Sequence, residues 1–212
     1  MALMDKLFGG LKMSWPHVIV FALCAGAYTG LVASIDALEP TSFHDIAVSH
    51  EWWLIFAFVI ASNCRKNWEC ALKTFVFFLI SQPLVYIVQV LLHTLDASFA
   101  IYCYLNIWGP ATLFTLPGGF LAFYITRQNI FGSIVLGLGC TIQAIYAVYY
   151  GAQLLGNPPY HLLTVLIDVA SIFVMTFAIQ KQKKHRAIAL GTVVVTFAVL
   201  GALLMATGRT II

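Results

Sequence analysis

The sequence predicts an all-α, polytopic membrane protein of about seven transmembrane helices, with six as the alternative, and with its amino terminus inside. Charged residues make up 9% of the 212 residues and apolar residues 61%, whereas soluble domains carry about 25% charged residues. Apolar runs close to the length of a membrane-crossing helix recur along the whole chain. The connections between these runs alternate between basic and non-basic, as the positive-inside rule requires.

The basic connections define the predicted inner side. In chain order they hold Lys6 and Lys12, then Arg65, Lys66 and Lys73, then Arg127, then Lys181, Lys183, Lys184 and Arg186. The connections that separate them hold Asp36, Glu39, Asp45 and Glu51, then Asp96, then a neutral turn from Gly156 to Tyr160. With seven spans, the carboxy terminus lies outside, and Arg209 is a single exception to the pattern.

Seven spans fill a single predicted domain, residues 1–212. They run from about Pro16 to Leu38, Ile46 to Ser62, Thr74 to Leu92, Ala100 to Ile125, Ile130 to Leu155, Leu162 to Gln180 and Ala187 to Ala206. The second span is irregular, because its clean apolar run from Trp52 to Ser62 makes only about 16 Å of helix against a core of about 30 Å. We therefore expect that helix to begin near Ile46, with Trp52 and Trp53 close to the outer interface.

Two further segments have recognisable patterns. Residues 1–13 place apolar side chains around Asp5, Lys6 and Lys12, which predicts an amphipathic segment on the inner membrane surface. The first span carries small residues four apart, which lets another helix approach closely. These residues are Ala22, Gly26, Gly30 and Ser34. The stripe predicts either internal packing or a docking face, at Ala22, Gly26 and Gly30, for an energising or other partner subunit.

Polar residues inside the spans are the main functional signal, because each is costly in hydrocarbon unless it has a partner. Offsets of three and four place each set on one helical face. The third span presents Gln82, Tyr86, Gln89 and His93. The fifth presents Gly139, Gln143, Tyr146 and Tyr150, and the sixth presents His161, Thr164, Asp168 and Ser171. All three faces run from the bilayer centre outward, which predicts one shared pocket that opens to the exterior.

Asp168 is the one acid predicted to lie deep in the membrane. Such a carboxyl group is either protonated or close to a cation. We therefore include it among the predicted ligand-binding residues. The complete set is Trp52, Trp53, Glu51, Gln82, Tyr86, Gln89, His93, Asn106, Gln143, Tyr146 and Asp168. A protonated Asp168 that only joins two helices is the structural alternative.

Other chemistry has weaker support in the sequence. The outer rim holds His44, Asp45, His50, Glu51, His93, Asp96 and His161, which are residue types that bind transition metals. They have no fixed ligand spacing, so solvated loop residues are the simpler interpretation and the metal and cofactor stay unknown. The five cysteines form no CxxC pair, and neither a GxxxxGK[ST] motif nor a catalytic fingerprint occurs. The basic residues reflect topology and do not indicate nucleic acid.

These observations favour a small-solute transporter, or the substrate-binding membrane subunit of an uptake system, in the plasma membrane. Its outward pocket would take a small molecule, and Asp168 makes a cation one option. In architecture alone the predicted chain resembles the substrate-capture subunits of vitamin uptake systems. That resemblance implies a separate ATP-driven module that docks on small residues. The alternatives are an ion or proton channel or exchanger that titrates at Asp168, and an intramembrane enzyme that uses Asp168 with His161 or His93.

Overall fold

A computed structural model describes residues 2–48, 50–156 and 161–206 of the chain. Within those residues the structure is helical, without a strand. The elements are α1 (Ala2–Leu7), α2 (Trp15–Ala33), α3 (Ser42–Val48), α4 (His50–Ser62), α5 (Asn67–Leu91), α6 (Ala97–Cys103), α7 (Gly109–Ala122), α8 (Ile130–Gly156), α9 (Leu162–Ile179) and α10 (Lys183–Ala206). Short 3₁₀ turns cover Asp36–Leu38 and Phe123–Thr126, and a π-helical turn covers Tyr104–Trp108.

Six helical stretches in the described part of the chain are long and apolar enough to cross a membrane. Four of them are α2, α5, α8 and α9, and a fifth is the part of α10 up to Leu203. The sixth, Ala97–Thr126, combines α6 and α7 with their irregular turns. The chain is therefore an all-helical, multi-pass membrane protein, as the sequence predicts.

The second predicted span, from about Ile46 to Ser62, is helical on both sides of Ser49, which lies outside the described residues. The structure has α3 over Ser42–Val48 and α4 over His50–Ser62. The 13 residues of α4 alone reach about 20 Å, which is less than a hydrocarbon core of about 30 Å. By itself, α4 is thus a short apolar helix. It lies inside the bundle, where Trp53 and Phe58 are each 3% exposed.

The helices form two groups with α4 between them. One group packs α2 and α7 against α5, and the other packs α9 and α10 against α8. Helix α4 contacts α5 and α7 on one side and α8 on the other. Its Phe58 ring packs against Gly139, where the ring would lie 2.3 Å from an added Cβ atom. Helix α3 links the two groups at one end, because it contacts both α2 and α9.

The small-residue stripe on α2 is filled within the chain. A Cβ atom added at Gly26 would meet the Ser81 carbonyl oxygen at 2.6 Å, and one at Gly30 would meet the Val85 carbonyl oxygen at 2.8 Å. Ala22 on the same face is buried. Helix α5 thus occupies this face, and the docking of a partner subunit on Ala22, Gly26 and Gly30 stays a prediction. The internal-packing alternative is the one that the structure has.

The amino-terminal segment is helical over a shorter length than predicted. Of the described residues 2–13, Ala2–Leu7 form a helix. Asn63, just after α4, then ties the segment to the bundle, because its Nδ2 donates to the Leu7 carbonyl at 2.6 Å and its Oδ1 accepts from the Leu11 amide at 2.7 Å. The predicted surface segment is therefore anchored to the end of α4.

The basic connections meet at the same end of the molecule. Lys73, buried in the second turn of α5, hydrogen-bonds the Met13 carbonyl and forms an ion pair with Glu69. Gln128 donates to the Ile179 carbonyl at 3.0 Å, which joins the connection after α7 to the one after α9. These contacts agree with a shared side for the basic connections, while the assignment of that side to the cell interior stays a prediction.

Candidate ligand-binding cavity

A cavity of about 300 Å³ lies near the carboxy-terminal ends of α2 and α5, the end that the charge pattern assigns to the outside. We call it the Gln82 cavity. Residues of α2 to α6, the connection before α6 and the π-helical turn line it. They are Thr29, Ala33, His44, Trp53, Gln82, Val85, Tyr86, Gln89, Leu95, Phe99, Cys103 and Trp108. The volume is at the lower end of the range for small-molecule sites, about 300–1,000 Å³.

Gln82 is the most informative residue of the lining. Its side chain is 2% exposed, and its Nε2 atom has no hydrogen-bond partner among the described residues. A buried donor without an acceptor costs about 1–3 kcal/mol. Such groups are rare in folded proteins and call for an explanation. Gln82 also lines a cavity of ligand size, and a ligand acceptor there would satisfy the amide.

Aromatic side chains form much of the remaining wall. Trp53 on α4 is held by Phe56 and Phe77, with ring centroids 5.8 Å and 6.0 Å away. Trp108, in the π-helical turn, hydrogen-bonds the Tyr86 side chain of α5. Single π-turns of this kind often occur at functional sites. Here the turn ends two residues before Pro110, which has no N–H to continue the α-helical pattern.

The lining is nearly uncharged. Its described residues include no Lys, Arg, Asp or Glu, and among them His44 is the one basic side chain. Gln89 adds an amide, whose Nε2 makes a long 3.4 Å contact to the Val85 carbonyl. The cavity therefore offers neutral donors and acceptors beside aromatic surface. A charged ligand would lose its hydration here without gaining an opposite charge.

The prediction of one shared pocket is corrected in part. Gln82, Tyr86 and Gln89 line the cavity together with Trp53, as the polar face of α5 predicts. Gln143, Tyr146 and Asp168 are not part of this lining. Gln143 and Asp168 are buried on α8 and α9, with Asp168 1% exposed. Helical periodicity identified the faces correctly but could not say that α5 packs with α2 and α7 and not with α8 and α9.

His93 and Asn106 were also expected in the pocket and lie elsewhere. Helix α5 ends at Leu91, and His93 follows it with a φ of 57°. The Thr94 amide donates to the Gln89 carbonyl and the His93 amide to the Val90 carbonyl. This pair of hydrogen bonds is a Schellman motif. His93 is therefore exposed outside the helical face. Asn106 is exposed too, and its Nδ2 donates to the Tyr102 carbonyl at 2.9 Å.

Trp52 and Glu51 complete the predicted set. Trp52 is half-buried on α4 and does not line the Gln82 cavity. The side chain of Glu51 lies outside the described residues. A ligand role for these two, and for Gln143, Tyr146 and Asp168, stays a prediction.

A polar cluster next to the cavity was missed by sequence reasoning. Asp45 of α3 is buried, and its Oδ2 accepts from Thr164 Oγ1 at 2.6 Å and lies 2.7 Å from His161 Nδ1. The Tyr150 ring stacks on His161 at 5.3 Å. Asp45 thus fixes α3 to the start of α9, and α3 places His44 in the cavity wall. Asp45 and His161 were both among the predicted rim residues, but their pairing depends on a contact between distant parts of the chain.

The metal interpretation of the rim has no support within the described residues, where no cluster of three or more His, Cys, Asp or Glu side chains could hold an ion. All five cysteines are free. Comparison with known proteins found no matching protein family, curated protein or solved structure. The cavity itself is therefore the basis for a functional proposal.

Proposed function

We propose that this chain is a solute-capturing membrane protein, either a transporter or the substrate-binding subunit of an uptake system. Its ligand is a small, uncharged organic molecule that binds in the Gln82 cavity from the outer side. The observation that carries the proposal is that Gln82 lines a cavity of ligand size while its buried amide has no acceptor among the described residues. A ligand carbonyl, hydroxyl or ring nitrogen would accept its hydrogen bond.

Among the described lining residues His44 is the one acidic or basic side chain, which favours a neutral ligand over a cation. Burying an ion without a counter-charge costs several kcal/mol, whereas Trp53, Trp108 and Tyr86 provide apolar and aromatic contacts at little cost. The cationic option depended on Asp168, which is not in this lining. We therefore revise the proposed ligand class to uncharged molecules.

The channel and enzyme alternatives depend on Asp168, His161 and His93. His93 ends α5 at the surface, and His161 is paired with Asp45. Neither arrangement favours these alternatives over solute capture. An energising partner remains compatible with the proposal.

Thermal-shift screening tests the proposal directly. Purified protein is melted in the presence of uncharged metabolites, cationic metabolites, vitamins and metal ions. A ligand at 100 times its Kd adds about 2.7 kcal/mol to the free energy of unfolding. We expect the stabilising compounds to be uncharged and to lose their effect in Gln82→Leu.

Ser81→Ala is the matched control for that screen. Ser81 precedes Gln82 in the same helix and also has a buried polar atom without a partner among the described residues, but it does not line the cavity. It should respond to ligands like the wild type. Stabilisation by metal ions or cationic compounds alone, unchanged in Gln82→Leu, would contradict the proposal.

A further inference from the structure

A second cavity, of about 430 Å³, lies beside the first and opens through the side of the bundle. We call it the α7–α8 crevice. Its floor is α4, where Trp53 and Phe58 are buried. Its mouth is formed by residues of α7 and α8 that face outward, such as Phe114, which is 75% exposed, and Leu138. The crevice therefore faces the hydrocarbon of the bilayer.

The shape of the crevice suits one hydrocarbon chain. Its lining includes residues from Trp108 to Ala122 along α7, a distance of about 21 Å, compared with about 15 Å for half of a bilayer core. Among the described residues that line it, Thr74 and Thr115 are the only ones with a side-chain hydroxyl, amide or charge. Gly118 lies in its wall with open space beside it, whereas the space beside Gly139 is filled by the Phe58 ring of the α4 floor.

The two cavities share two walls. Trp53 and Trp108 each line both the Gln82 cavity and the α7–α8 crevice. One side of this pair thus has a polar, uncharged cavity with an unpartnered Gln82 amide, and the other has an apolar groove that opens to lipid. A molecule with a polar head and an apolar tail matches both parts at once.

We propose that the ligand is a single-chain amphiphile with an uncharged head, whose head binds Gln82 while its chain lies in the α7–α8 crevice. This inference rests on the proposed function and specifies its substrate class. The ligand reaches the cavity from the bilayer, through the gap between α7 and α8, and the two tryptophans contact its head–tail junction.

The head must provide the selectivity. Every lipid chain in the bilayer is as apolar as the crevice, so the chain gains little when it leaves lipid for protein. The hydrogen bond to the Gln82 amide, and a described lining in which His44 is the one ionisable acid or base, distinguish an uncharged head from a zwitterionic or anionic one. A monoacylglycerol and a phosphatidylcholine therefore make a suitable pair of probes.

Tryptophan quenching in lipid nanodiscs measures this selectivity. The tested protein is the full chain with Trp15→Phe, Trp52→Phe and Trp68→Phe, so that the remaining tryptophans are Trp53 and Trp108. Bromine is placed either on monoolein or, at the same bromine fraction, on dioleoylphosphatidylcholine. We expect monoolein to bind about tenfold more tightly than phosphatidylcholine, the effect of one buried hydrogen bond.

Three variants identify the parts of the site. Gln82→Leu should reduce the preference for monoolein about tenfold, to none. Gly118→Leu should reduce quenching by both lipids, since it adds bulk inside the crevice at a position where an added Cβ atom meets nothing within 4 Å. Gly191→Leu, on α10 and outside the crevice, has equally open surroundings and should behave like the parent protein.

Equal binding of both lipids in the parent protein would show that the crevice holds bulk lipid without selectivity, and it would overturn the inference. A preference for monoolein that is unchanged in Gln82→Leu would overturn it too. The proposed function is tested by a different outcome. Solute capture would stand if soluble compounds still stabilised the wild type but not Gln82→Leu, while the two lipids bound equally. It would fall if neither soluble compounds nor monoolein responded to Gln82→Leu.

Discussion

Replacing Gln82 should have opposite effects on the stability of the protein and on ligand binding. Without a ligand, its buried Nε2 has no acceptor among the described residues and lowers the free energy of unfolding. Leucine has a similar size and no polar atom. We therefore predict that Gln82→Leu raises the unfolding free energy of the ligand-free protein by about 1–3 kcal/mol. Thermal or denaturant unfolding of the purified protein in detergent measures the change.

Ser81→Ala provides the comparison at the neighbouring position, where no ligand contact is expected. A Gln82→Leu protein that is less stable than the wild type by a similar amount would show that the amide already has a partner. It would remove the main reason to place a ligand in this cavity.

The backbone of His93 is in a strained conformation, and a single substitution can relieve that strain. Its φ of 57° lies in the left-handed region, which costs a non-glycine residue about 1–2 kcal/mol. Glycine is the usual residue at this position of a Schellman ending. We predict that His93→Gly raises the unfolding free energy by up to about 1 kcal/mol, measured by thermal unfolding.

His93→Ala keeps a Cβ atom at the left-handed φ, so it should not raise the unfolding free energy. Because His93 is exposed and outside the Gln82 cavity, ligand binding should be unchanged in both variants. A loss of binding in His93→Gly would mean that the residue belongs to the site after all.

At the level of elements, the contact between α2 and α5 depends on a lack of side chains. A methyl group at Gly26 would lie 2.6 Å from the Ser81 carbonyl oxygen and 3.0 Å from its Cα, both of which are backbone atoms. We predict that Gly26→Ala lowers the unfolding free energy by about 1–3 kcal/mol, the usual cost of overpacking. Circular dichroism during thermal unfolding measures it.

The control is Gly191→Ala on α10, where an added methyl group meets nothing within 4 Å. It should be neutral or stabilising by up to about 1 kcal/mol. If both substitutions had the same effect, the small-residue stripe would be free for a partner and not packed against α5.

The elements also show what the sequence could predict. Offsets of four and three correctly placed Gln82, Tyr86 and Gln89 on one face of α5, because helical geometry is local. The same count failed at His93, since the helix ends two residues earlier through backbone hydrogen bonds that the pattern does not encode. The contribution of Trp108 also depends on a π-turn, and only its position before Gly109 and Pro110 indicated an irregularity.

For the whole molecule, the charge pattern predicts sidedness. Cysteine introduced by Lys184→Cys should react with a membrane-impermeant maleimide only from the inside, and cysteine from Asp96→Cys only from the outside. The five native cysteines are first replaced, because Cys24 is exposed. Labelling of either position from the other side would reverse the orientation and would place the Gln82 cavity on the inner face.

The arrangement of the helix groups is what the sequence could not supply. Three polar faces suggested one pocket, yet the face on α5 lines the Gln82 cavity while Asp168 lies buried on α9 in the other group. Which faces meet depends on side-chain packing around α4, such as Phe58 against Gly139. Such contacts between distant segments leave no periodic signal in a single sequence.

The most direct test compares Gln82 with Asp168 in one binding measurement. The Kd of the compound that most stabilises the protein is measured for the wild type, Gln82→Leu and Asp168→Asn. We predict that Gln82→Leu weakens binding at least about tenfold while Asp168→Asn leaves the Kd unchanged. The opposite result would be binding that is weaker by about 2–5 kcal/mol in Asp168→Asn and unchanged in Gln82→Leu. It would contradict the account and would place the ligand at Asp168.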